Sequence, residues 1–279
     1  MKKLILICCI AFLLSFGVNA QEATPRTSGD DCGDDNNCSW KIENGVLTIT
    51  GYGAMKNFGH DEGNQPWLEN RSSITKVVVE NLSEEHGFTS IGTGAFERTA
   101  TQEIILPDSI TSIGDFSCYD CTALEKINLP DGLEVIGFWA FGQAPLSQID
   151  IPDTVQHIYP WAFQYTDLTD VVIPENTILD ENAFFNDNYA VNSASTPLTN
   201  IYCAASNIEQ CRAAVAYRGD NVEVKEYQKY GSEYYCDGRF YKNPNDILVP
   251  DNHIQKRIYT IDEANKVAGK TNRISIKYR

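Results

Sequence analysis

Apolar and polar residues alternate in short segments that recur through the middle of the chain. The segments Ile127-Asn128-Leu129 and Ile149-Asp150-Ile151 each place two apolar residues around one polar residue. Because side chains in a strand alternate between its two faces, this pattern predicts strands with one buried and one exposed face. A proline follows each segment, where a residue without an N–H ends the strand pairing.

These segments recur at a fixed interval. The prolines that follow them are 23, 22 and 22 residues apart, at Pro107, Pro130, Pro152 and Pro174. A second slot keeps the same interval and is filled by Ala95-Phe96, Ser117-Cys118, Ala140-Phe141, Ala162-Phe163 and Ala183-Phe184. A period in the twenties is typical of a solenoid in which each repeat forms one turn. We therefore predict a mainly β fold with short helical turns, wound as a right-handed coil.

The repeats resemble a known family, the BspA-type (surface-antigen) leucine-rich repeats. The family's unit is similar to Leu-x-x-Ile-x-Ile-Pro-Asp-x-Val-x-x-Ile-Gly-x-x-Ala-Phe, and residues 124–136 and 146–158 follow that spacing. Its first unit has counterparts in Cys32-Gly33, Trp40, residues 45–55 and Pro66-Trp67. The resemblance covers about residues 32–200 and departs from the pattern at 115–118. It implies a leucine-rich-repeat solenoid and an adhesin or host-interaction role.

The chain divides into four predicted segments. Residues 1–20 have two lysines, an apolar run and a small-residue cleavage site, which indicates a signal peptide. The apolar run is too short to span a bilayer as a helix, although a retained membrane anchor is the alternative. We predict a flexible leader at 21–31, the solenoid at 32–225 with an N-terminal cap at 32–56, and a C-terminal module at 226–279. The cap contains a predicted hairpin at 40–50 that turns at Asn44-Gly45.

The C-terminal module differs in style from the repeats. A closing helix is predicted at 207–217, and a hairpin at 230–241 around Asp237-Gly238. A capping box at Thr260-Ile261-Asp262-Glu263 and an alternating segment at 273–278 predict a further helix and strand. Residues 226–279 therefore form a small α+β module in this prediction. It can cap the solenoid, attach the protein to a surface or bind a ligand.

Charge limits the classes of partner. The formal net charge is −16, although residues 225–279 carry 11 Lys or Arg against 7 Asp or Glu. An acidic body disfavours nucleic acids and anionic membranes. We therefore expect no nucleic-acid partner and no membrane insertion after signal removal. Solubility alone also accounts for the acidic composition.

Seven cysteines follow the predicted signal peptide. Export permits disulfides, and we predict the pairs Cys32–Cys38 and Cys203–Cys211 because both ends of a solenoid need fastening. The remaining three are Cys118, Cys121 and Cys236. A Cys-x-x-Cys motif at Cys118 and Cys121 has no further zinc ligands nearby. We therefore predict neither a metal site nor redox chemistry there.

No enzyme motif is present in the sequence. The chain lacks Gly-x-Ser-x-Gly, a phosphate loop and Gly-x-Gly-x-x-Gly, and its 4 histidines are scattered. We expect no catalytic residue, no cofactor and no metal.

Two surfaces are candidates for binding. The outward ladder consists of the outward-facing residue of each predicted strand: Val78, Ile105, Asn128, Asp150, Val172 and Tyr202. The aromatic row lies two residues before the phenylalanine position of the second slot in three successive turns and comprises Phe116, Trp139 and Trp161. Solenoids bind extended partners on concave faces, and tryptophan is enriched where partners dock. The structural alternatives are a solvated sheet face and aromatic bracing of the wall.

These observations favour a secreted or cell-surface protein without catalytic activity. We expect it to bind a protein or glycan, extracellular matrix included. Two alternatives remain at this point. One is a structural envelope component attached through residues 226–279, and the other is a carbohydrate-binding module using Trp139 and Trp161.

Overall fold

A computed structural model describes residues 25–33, 37–185, 198–215, 222–230, 233–236 and 239–241. The predicted signal peptide and residues 242–279 lie outside this part of the chain. Among the described residues, no helix has the length and apolar character needed to cross a membrane.

The described part of the chain is mainly β. In chain order its strands are β1 (Ser28–Gly29), β2 (Cys38–Glu43), β3 (Val46–Gly51), β4 (Gly53–Ala54), β5 (Lys76–Asn81), β6 (Phe88–Ile91), β7 (Glu103–Ile105), β8 (Ser112–Ile113), β9 (Lys126–Ile127), β10 (Val135–Ile136), β11 (His157–Ile158), β12 (Asp170–Val172), β13 (Ile178–Leu179), β14 (Asn200–Ala204), β15 (Glu223–Tyr230), β16 (Glu233–Cys236) and β17 (Arg239–Tyr241). A 3-10 turn spans Leu68–Asn70, and the helix α1 spans Ile208–Ala214.

Successive turns contribute strands to two walls. The first sheet has the order β1-β2-β3-β5-β7-β9, and the second has the order β4-β6-β8-β10-β11-β13. In the second sheet Ile136 lies opposite Ile113 on one side and Ile158 on the other. Equivalent residues of consecutive repeats are therefore direct neighbours. This confirms the predicted leucine-rich-repeat fold class.

The second slot of each repeat fills the space between the walls. Phe141, Phe163 and Phe184 stack on one another with ring centroids 5.3 and 5.1 Å apart. All three rings are at most 2% exposed. Cys118 occupies the slot in one turn and is also buried. A small apolar side chain therefore replaces one ring of the column, in agreement with a structural role for this cysteine.

The N-terminal cap is an antiparallel hairpin joined to the first repeat. Strands β2 and β3 meet at the predicted turn, where Asn44 and Gly45 have φ values of 51° and 79°. Strand β3 then pairs parallel with β5 and so continues the first sheet into the repeats. Trp40 packs edge-on against Trp67 at 5.9 Å, which places an apolar contact beneath the hairpin.

The C-terminal end is closed by a third sheet and a helix. The sheet has the order β12-β14-β15-β16-β17, and α1 lies within the predicted closing helix. The predicted domain boundary between 225 and 226 falls inside β15, which pairs parallel with β14 through Ala204 and Tyr227. Strands β16 and β17 form the antiparallel hairpin predicted in this segment. The division into domains stays a prediction.

Replacement of Phe163 by alanine tests the ring column. We expect the free energy of unfolding to fall by about 3–5 kcal/mol, because the change leaves a cavity between two buried rings. Urea unfolding followed by circular dichroism measures the loss. Leu82→Ala is the control, since Leu82 is 58% exposed and surface changes usually stay within about 0.5 kcal/mol. Equal effects of the two substitutions would contradict the column's role.

Candidate interaction surface

The outward ladder is accessible along only part of its length. Solvent reaches its first four positions, which are Val78, Ile105, Asn128 and Asp150. Val172 and Tyr202 are only 1% and 7% exposed. The prediction that all six positions of the outward ladder are exposed is therefore wrong for Val172 and Tyr202.

A second group of buried side chains explains this difference. It comprises Val172, Tyr202, Ala204, Tyr227 and Cys236. The strand register places Val172 beside Tyr202, and Ala204 beside Tyr227. The Tyr227 phenol donates a hydrogen bond to the Ile173 carbonyl at 2.8 Å. The outward face at this end is thus part of a second apolar core.

Asn128 is exposed, but its amide is engaged by the main chain. Its Nδ2 donates to the Leu106 carbonyl at 3.1 Å, and its Oδ1 accepts from the Leu106 N–H at 3.0 Å. The first sheet ends at β9, and residues 148–151 lie in no strand. The Asn128 side chain therefore joins two turns where main-chain pairing stops, which makes it a structural residue.

A charged column runs beside the outward ladder. Glu103 lies between Lys76 and Lys126, with Nζ–Oε distances of 2.7 and 3.1 Å. Hydrogen bonds from Lys76 and then Lys126 lower the pKa of Glu103. Strands spaced about 4.8 Å apart bring these side chains within reach of one another. Because Glu103 pairs with both lysines, the charged column presents little net charge to a ligand.

The aromatic row occurs as three rings in register. Phe116 and Trp139 are nearly parallel at 6.4 Å, and Trp139 and Trp161 follow at 6.2 Å. Tyr119 stands edge-on against Trp139 at 5.2 Å, and Phe138 against Trp161 at 5.1 Å. All five rings are half-buried. Together they form a continuous aromatic surface that is partly accessible.

The backbone of the aromatic row is left-handed. Phe116, Trp139 and Trp161 have φ values of 54°, 54° and 57°. This conformation costs a residue with a Cβ roughly 1–2 kcal/mol. Gly94 and Asn182 occupy the same slot in the outer turns, at 66° and 62°, and both residue types tolerate it. Large aromatic side chains are therefore present in three turns although the backbone favours smaller residues.

One further ring extends the row and was missed by the sequence analysis. His60 stacks on Phe116 at 3.9 Å with an interplanar angle of 12°. It also meets the edge of Tyr119 at 5.3 Å. Residues 60–65 form a polar insertion outside the repeat pattern, so the periodicity carried no signal for this contact.

Charged groups border the row at His60. Arg98 forms an ion pair with Asp61 and lies 3.2 Å from Glu97 and 3.4 Å from Asp120. The hydrogen bond from Arg98 is the main cause that lowers the pKa of Asp61. Three carboxylates surround one guanidinium here, so this end of the row is negative.

Both predicted disulfide pairs are bonded in the structure. Cys32–Cys38 lies in the N-terminal cap, and Cys203–Cys211 ties β14 to α1. The two bridges therefore fasten the first and last turns of the described part of the stack.

Cys118 and Cys121 are free thiols, and both are buried, as is Cys236. Burial raises the pKa of the Cys118 thiol and raises that of Cys121 to about 11. The Cys121 thiol also donates to the Phe96 carbonyl at 3.0 Å. The thiolate is the nucleophile and the metal ligand, so these surroundings oppose redox and zinc chemistry at the Cys-x-x-Cys motif.

Comparison with known proteins identifies the repeats. A family model described as a BspA type leucine rich repeat region matches six copies over residues 73–211. The chain is also similar to a leucine-rich repeat protein from Eubacterium ventriosum ATCC 27560, with 22% identity and a TM-score of 0.50. That match covers 72% of this chain and 46% of the other. The chain thus spans about half the length of that protein, and the likeness concerns the fold alone.

Two other solved structures are similar at lower TM-scores. A leucine-rich repeat protein from Bacteroides ovatus ATCC 8483 has 19% identity and a TM-score of 0.38, covering 68% of this chain and 56% of its own. One from T. pallidum has 21% identity and a TM-score of 0.40, covering 68% and 79%. No curated protein matches the chain.

Replacement of Asn128 by alanine tests its structural role. The change leaves the buried Leu106 N–H and carbonyl without their partner, so the free energy of unfolding should fall by about 1–3 kcal/mol. Chemical unfolding measures this difference. Asp150→Ala is the control at the ladder position one repeat later, and we expect a change within about 0.5 kcal/mol. A stable Asn128→Ala protein would return this residue to the candidate binding positions.

Cys118 and Cys121 should resist thiol reagents in the folded protein. We expect neither thiol to react with a chromogenic disulfide reagent at pH 8, because burial keeps both protonated and inaccessible. Both should react in guanidinium chloride. Rapid labelling of Cys118 or Cys121 in the native protein, located by mass spectrometry, would contradict the structural role of this pair.

Proposed function

Because residues 73–211 belong to the BspA-type leucine-rich repeat family, we propose that the chain is a secreted or surface-exposed binding protein that engages an extracellular protein through the aromatic row. Leucine-rich repeats suggest protein binding, and not catalysis, as the general role. The aromatic row supplies the specific surface in this proposal.

One observation carries the choice of surface. Three large aromatic residues occupy left-handed backbone positions on consecutive turns and remain partly accessible. Tryptophan and tyrosine are enriched among the residues that dominate binding energy at protein interfaces. Rigid stacked rings also lose little conformational freedom when a partner docks. A surface that retains such residues against a backbone cost is suited to docking.

The outward ladder is a weaker candidate in the same molecule. Its last two positions are buried, and the Asn128 amide is engaged by Leu106. The adjacent lysines are paired with Glu103. Val78, Ile105 and Asp150 remain as accessible positions, and the turn of Asn128 separates the last two. This arrangement gives a partner few groups to recognise.

Export is the part of the proposal that rests on the N-terminus. Residues 1–20 have the composition of a signal peptide. Two disulfides in the structure suit an oxidising compartment outside the cytoplasm. The alternative of envelope attachment depends on residues 226–279, most of which lie outside the described part of the chain, and it stays a prediction.

A glycan is the second candidate ligand, favoured by one observation. The rings of Phe116 and Trp139 are nearly parallel and half-buried, and stacked aromatic rings suit sugar ligands. The size and edge contacts of the row fit a protein better, because Phe138 and Tyr119 widen it beyond a single stacking platform.

A binding screen tests the proposal. The purified protein is applied to arrays of extracellular-matrix proteins and of glycans, beside a Trp139→Ala/Trp161→Ala variant. We expect a protein hit whose affinity falls roughly 30-fold or more in the variant, since a truncated hot-spot residue costs about 2 kcal/mol or more. Circular dichroism and melting temperature show whether the variant remains folded.

Two control variants separate the surfaces. Ile178→Ala removes a side chain that is 52% exposed in the second sheet, and it should leave binding unchanged. Ile105→Ala changes the outward ladder. Loss of the hit in Ile105→Ala with retention in the tryptophan variant would transfer the site to the ladder. Glycan hits alone would favour the second candidate, and a silent array would count against both.

A further inference from the structure

A histidine and two carboxylates meet at the end of the aromatic row. His60, Asp61 and Glu97 each bring one potential ligand atom to within 4.8 Å of the others. The first two residues come from the polar insertion and the third follows the Ala-Phe slot of the first full turn. Imidazole nitrogen and carboxylate oxygen are common ligands of divalent transition metals.

The facing atoms of His60 and Glu97 lack hydrogen bonds. The Glu97 side chain is only 3% exposed, and its Oε2 accepts the Asp61 N–H at 3.3 Å. Its Oε1 and the His60 Nδ1 are both buried without a hydrogen-bond partner. Arg98 Nη1 is 3.2 Å from this Oε1, but their geometry does not form a hydrogen bond. A buried carboxylate oxygen and a buried imidazole nitrogen therefore lie opposite each other in ion-pair contact, without a well-formed hydrogen bond.

The separation of these two atoms suits a shared metal ion. His60 Nδ1 and Glu97 Oε1 are 3.2 Å apart. Two ligands of a tetrahedral zinc ion, each bonded at about 2.0–2.2 Å, are separated by about 3.3 Å. The other ring nitrogen, Nε2, lies 3.1 Å from Asp61 Oδ2. A metal-bound histidine usually donates its second N–H to a carboxylate in this way.

The local charge also favours a cation. Asp61, Glu97 and Asp120 surround one permanent positive charge, that of Arg98. A divalent ion would balance the excess negative charge when His60 is neutral. Arg98 also contacts Asp61 through Nη1 and Asp120 through Nε, so the guanidinium keeps carboxylate partners when Glu97 binds the ion.

We propose that this corner binds a divalent transition-metal ion such as Zn²⁺. His60 Nδ1 and Glu97 Oε1 are the protein ligands, Asp61 orients the imidazole through Nε2, and water completes the coordination. The proposal differs from the expectation from sequence that the chain has no metal site. The stacking of His60 on Phe116 places the ion beside the aromatic row. The inference does not depend on the proposed partner binding.

Zinc titration of the tag-free protein, stripped with a chelator, tests the proposal. Isothermal titration calorimetry should give one Zn²⁺ per chain. Glu97→Gln keeps the shape of the side chain and His60→Phe keeps the ring stacked on Phe116, and each should weaken binding at least 100-fold. Asp61→Asn should weaken it 10–100-fold, because it removes only the orienting carboxylate. His86→Phe, at a histidine elsewhere on the surface, should bind like the wild type.

A second measurement needs no variant. Zn²⁺ added to the wild-type protein should shift the imidazole NMR signals of His60 and leave those of His86 in place. Absence of saturable binding at 1 mM Zn²⁺ would overturn the proposal. Binding that survives both His60→Phe and Glu97→Gln, or a shift confined to another histidine, would overturn it as well.

Discussion

The in-register bonding of each turn to the next is the constraint on which the structure depends. The N–H of Phe96, Cys118 and Phe141 each donates to a carbonyl in the following turn at 2.7–2.8 Å. A residue is therefore stacked on its equivalent one repeat away, and its side chain must suit that neighbour. The column of phenylalanine rings, the charged column and the aromatic row all result from this in-register stacking.

A stack held by nearest-neighbour contacts has two ends that lack a partner. At the N-terminal end the hairpin β2–β3 and the Cys32–Cys38 bridge occupy this position. At the other end α1 is tied by Cys203–Cys211, and β15 adds a strand beyond the last repeat. The second apolar core forms there because added strands let the outward face bury side chains too.

The proposed binding surfaces lie where the repeats depart from their own average. The left-handed slot accepts glycine or asparagine at low cost, yet three central turns carry aromatic rings there. The insertion that carries His60 then closes over one end of the row and brings buried polar groups beside Glu97. An aromatic surface and a charged corner thus lie together on a frame that is otherwise regular.

The sequence by itself determined whatever follows from periodicity. Alternation and a 22-residue spacing predicted the two walls and the phenylalanine slot between them. The same spacing predicted the register of Phe116, Trp139 and Trp161. Asn44-Gly45 predicted the turn of the cap hairpin. Only the tertiary structure decided which residues outside the repeat pattern contact one another. The burial of Tyr202 depends on strands beyond the repeat, and the contact of His60 with Glu97 depends on how an insertion folds back. Neither has a local signal, because a repeat pattern specifies only contacts between equivalent positions.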